Sequence, residues 1–170
     1  MKIGFTLKPN NGNILDFEKQ LSHLEEIEAG SAEIPLYELD VISGKKIIKD
    51  ELNLLNKTIQ NSNLQFSIHG SMSVNLLDEE YLSDHLEVLR KEIEVCSALN
   101  INILVTHFGH TPVEVSKNHQ KYKDLINIQN EEYFKIAEVA KQNGVKLCIE
   151  NIFPYTNLHF TALPSEVSKN

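Results

Sequence analysis

Arginine is almost absent. Of 16 basic residues in the 170-residue chain only Arg90 is an arginine, against 24 acidic residues and a net charge of −8. That balance argues against a long electrostatic footprint on nucleic acid, which needs clustered Arg and Lys. It leaves open a metal-centred site for a phosphorylated ligand, because a bound cation reverses the local field. Cysteine is scarce as well. Cys96 and Cys148 are too few for a disulfide framework or a Cys-rich zinc site, and each sits in an apolar segment as a small, reduced core residue. Apolar runs last only a few residues, so no membrane-spanning segment is expected. Met1-Lys2 leads straight into a strand-like segment without a signal-peptide pattern, and a cytoplasmic location is expected. A glycine-rich phosphate loop is missing too. Lys8-Pro9-Asn10-Asn11-Gly12 has neither the G-x-G-x-x-G nor the Walker pattern, which argues against nucleotide binding. No low-complexity stretch or linker divides the chain, and a single domain over 1–170 is expected.

What is present is an alternation. Ile3, Phe5 and Leu7 mark a strand, followed by a turn at Pro9 to Gly12. Asn13 caps a helix whose stripe is Phe17, Leu21, Leu24 and Ile27, with Gly30 at its C′ position. A short strand over 32–34 ends at Pro35, a second helix covers 50–60, and a third strand covers 64–69. Asp78 caps the strongest helix, with Leu82, Leu86, Leu89, Ile93 and Cys96 on one face. The β-branched run 101–106 reads as a strand buried on both faces. A polar loop over 111–129 precedes a helix opened by Asn130, with Phe134, Ala137 and Ala140 inward. A fifth strand follows at 145–149, and Thr161 to Pro164 starts another helix. The order βαβαβαβαβ predicts parallel strands joined by right-handed crossovers. A five-stranded doubly wound sheet fits this length, whereas a complete eight-unit barrel needs about 250 residues.

Ligand-type side chains close successive strands: His69 the third, His107 the fourth, Glu150 the fifth, with His110 three residues beyond His107. In parallel α/β folds the carboxyl ends of the strands form the binding rim. Adjacent strands lie about 4.8 Å apart, so consecutive strand ends can aim at one point. Two imidazoles and a carboxylate suit Zn²⁺ or another divalent transition metal with open positions for water or substrate. Glu33 at the end of the second strand can join the rim, and Asn75 and Asn151 can orient loops or ligands. His23, His85 and His119 lack this placement and are read as surface residues.

Ser67-Ile68-His69-Gly70, Val74-Asn75-Leu76, Thr106-His107-Phe108-Gly109-His110 and Ile149-Glu150-Asn151, in that order and spacing, resemble the xylose isomerase-like TIM-barrel superfamily. That group holds sugar-phosphate isomerases and epimerases together with abasic-site nucleases of the endonuclease IV type. Phe108 stands where the family often has proline. The resemblance implies an α/β TIM barrel, (β/α)8, of which this chain carries the first five βα units as a partial barrel. It implies a divalent metal cofactor (Zn, Mn or Mg) held by His69, His107 and Glu150. In the nuclease branch histidines matching His69 and His107 bind one zinc, and a glutamate matching Glu150 bridges to a second. In the isomerase branch the Glu150 equivalent binds the metal and can double as the acid/base group. Glu33, His69, His107, His110 and Asn151 are expected to line the substrate. The family's other ligands lie on strands six to eight, so the chain is expected to be the N-terminal portion of a longer barrel. Its unpaired barrel edges would favour self-association.

The leading expectation is a metal-dependent isomerase or epimerase acting on a small-molecule sugar or sugar phosphate, with Glu150 catalytic. The rival is a zinc phosphodiesterase acting on abasic DNA, the only reading in which nucleic acid is a partner. A third is a non-catalytic fragment or small-ligand binding domain.

Overall fold

The computed structural model describes residues 3–152 and 159–161. Five strands form one parallel sheet: β1 (Gly4–Thr6), β2 (Ser31–Pro35), β5 (Gln65–His69), β6 (Ile103–His107) and β8 (Lys146–Glu150). Between them run the helices α1 (Ile14–Glu26), α2 (Lys49–Gln60), α3 (Leu82–Ala98) and α5 (His119–Gln142). Two antiparallel ribbons decorate this frame, β3 (Ile42–Ser43) with β4 (Lys46–Ile47), and β7 (His110–Pro112) with β9 (His159–Thr161). A short α4 (Val113–Ser116) precedes α5. Spatial strand order follows sequence order throughout. A doubly wound sheet reverses its order at a switch point; this one never does, which is the arrangement of a barrel sector. No helix among the described residues is long and apolar enough to cross a membrane.

Paired residues of parallel strands face the same side. Ala32, Ile34, Ile68 and Leu104 point toward the helices and are almost completely buried, with Phe17, Leu55, Leu89 and Ile136 packed in the same core. Burying side chains of this size contributes about 1.5–3 kcal/mol each. The opposite face carries Glu33, Ser67, His69, Val105, His107, Cys148 and Glu150 by register. This inner face is only partly covered, so β6 alternates over its first four residues and β8 has no fully buried residue, where burial on both sides was expected of β6.

Three helices end in the same way. The N–H of Ala29 reaches Leu24 O, Ile101 reaches Cys96 O and Val145 reaches Ala140 O, each at 2.9 Å. The preceding residues, Glu28, Asn100 and Gly144, take positive φ of 55°, 55° and 73°. This six-to-one closure satisfies late carbonyls and turns the chain toward the next strand. Asn13 caps α1 as expected, accepting from the N–H groups of Leu15 and Asp16.

Several local expectations are corrected. The left-handed C′ residue of α1 is Glu28, not Gly30, and Ile27 is exposed. Asp78 accepts from Glu80 N and Tyr81 N in the turn before α3, so it organises the approach to the helix and does not cap it. The segment 111–129 is not a loop: it holds the end of β7, α4 and nearly half of α5. His119 opens that helix, and His85 is largely buried on α3, 3.7 Å from Asp78. Phe134 points to solvent; Leu125, Gln129, Tyr133, Ile136 and Ala140 form the inward stripe. Of the helix start expected at Thr161 to Pro164, Thr161 closes β9 and the rest lies outside the described residues.

Candidate metal centre

His69, His107 and Glu150 are the last residues of β5, β6 and β8. Register explains their meeting. His69 pairs with Val105, and His107 lies two residues further along the same face, directly paired with Glu150. One nitrogen from each imidazole and one Glu150 oxygen lie within 4.8 Å of one another. His69 Nε2 is 3.3 Å and His107 Nε2 3.7 Å from Glu150 Oε2, and the two rings meet edge to face with centroids 4.9 Å apart.

Backbone bonds hold these ends in place. Phe108 N–H donates to Glu150 O at 2.8 Å, tying β6 to β8 just beyond the ligand pair. The Tyr133 hydroxyl, buried on α5, donates to the His107 carbonyl. His69 Nδ1 lies 3.2 Å from Gly70 O. A carbonyl only accepts, so Nδ1 carries a proton, and Nε2 is the nitrogen turned toward Glu150. Two electron-rich atoms at that distance call for a cation between them, either a proton or a metal. Burial, then the neighbouring His69, push the His107 imidazole below its usual value, with Glu150 opposing and His110 adding to the lowering. A neutral imidazole is the form that ligates. Donor type, convergence and charge state all fit a divalent ion.

The trio stands in an open cleft of about 700 Å³, also lined by Thr6, Glu33, Tyr37, Met72 and Asn151. Thr6 Oγ1 donates to Glu33 Oε1 at 2.9 Å, which holds that carboxylate on the inner face. Asn151 follows Glu150 and is exposed at the cleft wall. His110 is not among the lining residues. Its backbone is clamped by Asn75, which accepts from His110 N and donates to His110 O, each at 3.0 Å, and it borders a separate cleft with Asp78 and Lys121.

Tyr37 joins the site without a signal in the sequence. It follows β2 in a single 3-10 turn, and its ring stands nearly perpendicular to that of His69 with centroids 5.6 Å apart. Burial, then Glu38, Glu33 and Glu150, raise its hydroxyl above the ordinary value. One residue in a one-turn helix has no periodicity to betray it.

A family profile for the xylose isomerase-like TIM barrel matches residues 21–169. The chain belongs to the xylose isomerase-like TIM barrel family. No curated protein matches its sequence. Among solved structures it is similar to a D-tagatose 3-epimerase-like protein, at 18% identity and a TM-score of 0.72, over 98% of this chain and 58% of that one. It is also similar to a D-allulose 3-epimerase from Methylomonas sp. in complex with D-allulose, at 14% identity and a TM-score of 0.64, over 88% and 50% of the two chains. A third is a xylose isomerase-like TIM barrel protein from Mycobacterium smegmatis in complex with magnesium, at 15% identity and a TM-score of 0.64, over 99% and 59%. At these identities the likeness establishes the fold. The chain spans between 50% and 59% of the length of these family structures.

Proposed function

We propose that this chain supplies the first five βα units of a metal-dependent isomerase or epimerase acting on a sugar or sugar phosphate. The observation that carries the reading is the convergence of His69, His107 and Glu150 within 4.8 Å, in a cleft large enough for a small polyol. A divalent ion held by these three residues would polarise a sugar carbonyl and its neighbouring hydroxyl. The half-exposed Glu150 carboxylate faces the same space and is the group to move a proton at the adjacent carbon. Glu33, steadied by Thr6, accepts from sugar hydroxyls, Asn151 offers both a donor and an acceptor, and Tyr37 gives the cleft an aromatic wall. The ligand is a small molecule, and both cysteines, being free, suit a reducing cytoplasm.

The donor set of two histidines and one glutamate equally suits a zinc phosphodiesterase acting on abasic DNA. The carboxylates of Glu33 and Glu150 in the cleft lining weigh against a polyanionic substrate. The two readings separate by calorimetric titration of the chain with a ketohexose, its phosphate and an abasic duplex, each with and without Zn²⁺, Mn²⁺ or Mg²⁺. Metal-dependent sugar binding lost in Glu150→Ala is the expected result. Metal-dependent binding of the duplex alone would transfer the chain to the nuclease branch.

A further inference from the structure

Glu92 lies on α3, 1% exposed, and does not reach the cleft. Its Oε1 accepts the Ser71 N–H at 2.5 Å, and its Oε2 has no hydrogen-bond partner. Burying a carboxylate with one partner is costly, and a neutral glutamine would satisfy the same N–H. The position of that N–H accounts for the acid. It belongs to the peptide unit joining Gly70 to Ser71, whose carbonyl oxygen is the one facing His69 Nδ1 at 3.2 Å. The preceding peptide unit, between His69 and Gly70, is pinned in turn, since Gly70 N–H donates to Val105 O at 2.8 Å. Glycine is needed here: a Cβ on Gly70 would stand 2.6 Å from Glu92 Oε2 and 3.2 Å from Val105 O.

We propose that Glu92 is a positioning residue for His69, acting through the peptide unit between Gly70 and Ser71. The carboxylate draws on the N–H and amide resonance enriches the Gly70 oxygen. That oxygen then holds the imidazole Nδ1–H more firmly and makes Nε2 a better donor. Histidine ligands commonly gain orientation and basicity from a carboxylate on their second nitrogen. Here a peptide group is interposed, and the carboxylate stays out of the cleft. Burial raises the Glu92 carboxyl to about 7, so the charged form is populated at neutral pH and above. The metal arm of this inference rests on the reading of His69, His107 and Glu150 as a cation site; the hydrogen-bond relay does not.

Glu92→Gln tests it, because the amide keeps the shape and an oxygen for Ser71 while removing the charge. Zn²⁺ alone is titrated against a competing chelator at about pH 8, where the wild-type carboxyl is mostly ionised. Zinc affinity is expected to fall about tenfold, while thermal stability stays level or rises because no charge is buried. A merely structural role would lower both together, and that pattern, or unchanged affinity, overturns the proposal. Cys96→Ala, one turn along α3, reports what loosening the helix does to zinc binding. In metal-free protein the His69 Nδ1 proton resonance is expected to move upfield in Glu92→Gln. If Glu92→Gln does not fold, Glu92→Asp, which withdraws the charge from Ser71, is expected to give the same shift. A stationary resonance overturns the relay. Should wild-type protein bind no Zn²⁺, the cation-site reading fails and this resonance alone decides the relay.

Discussion

Desolvation governs the ionisable side chains beneath the rim. The Glu92 carboxyl is pushed from 4.5 to about 7 by burial, against the lowering effect of the Ser71 N–H. An acid whose folded value is raised binds its proton more tightly when folded. Its contribution to stability is therefore complete below the unfolded value and is lost as pH rises through the folded one. From this group alone the wild type should lose up to about 3 kcal/mol between roughly pH 4.5 and 7, and Glu92→Gln should remove that slope in urea unfolding followed across pH. Close approach governs Gly109. A Cβ there would lie 2.4 Å from Gln129 Oε1 and 2.7 Å from both Asn75 Oδ1 and Leu77 Cγ. Gly109→Ala is expected to destabilise by about 1–3 kcal/mol, read from the denaturation midpoint, because none of those atoms is at the free end of a solvated chain.

At the scale of elements, α5 shows how a helix can hide its inward face. Its buried stripe includes Gln129 and Tyr133, whose polar tips bond to Gly109 N and His107 O. Sequence pattern reads such residues as solvated, and the conspicuous Phe134 then takes the inward place one residue out of register. In the fold Phe134 is 72% exposed and Ile136 1%. Phe134→Lys should change stability by no more than about 0.5 kcal/mol, whereas Ile136→Ala should cost about 2–5 kcal/mol. Tyr133→Phe, which strips one hydrogen bond from the His107 carbonyl, should cost about 1 kcal/mol. A set of urea curves decides all three. If Phe134→Lys is the damaging change, the helix is rotated from the orientation described.

Across the whole molecule, sequential strand order leaves β1 and β8 as the two edges of the sheet among the described residues. Ile3 and Phe5 beside the first edge are 58% and 44% exposed. Unpaired edges with apolar side chains are templates for further strand pairing. The 170-residue chain is expected to self-associate with rising concentration in light scattering, and Phe5→Lys should reduce that association. Metal binding without turnover is the matching expectation for chemistry, since the chain spans 50% to 59% of the family structures it resembles. Robust turnover of a ketose or an abasic duplex by a monomeric chain, abolished by Glu150→Ala, would show that these five units suffice.

Strand-and-helix alternation, the Asn13 cap and the rim position of His69, His107 and Glu150 follow from sequence alone. Strand direction and the two-residue period place the last residue of each parallel strand at one end of the sheet. Family membership was legible for the same reason, in short motifs at strand ends. The tertiary structure decided that the order is sequential and not doubly wound, that Tyr37 faces His69, and that His110 borders another cleft. It also decided that Glu92, 21 positions from Ser71, meets the peptide behind His69. Local periodicity reports which face of an element is apolar. It carries no information on which polar atom, brought from a distant segment by crossovers and loops, will satisfy a buried group. His69 and Glu150 stand 81 positions apart and touch at 3.3 Å only because the five elements between their strands packed as they did.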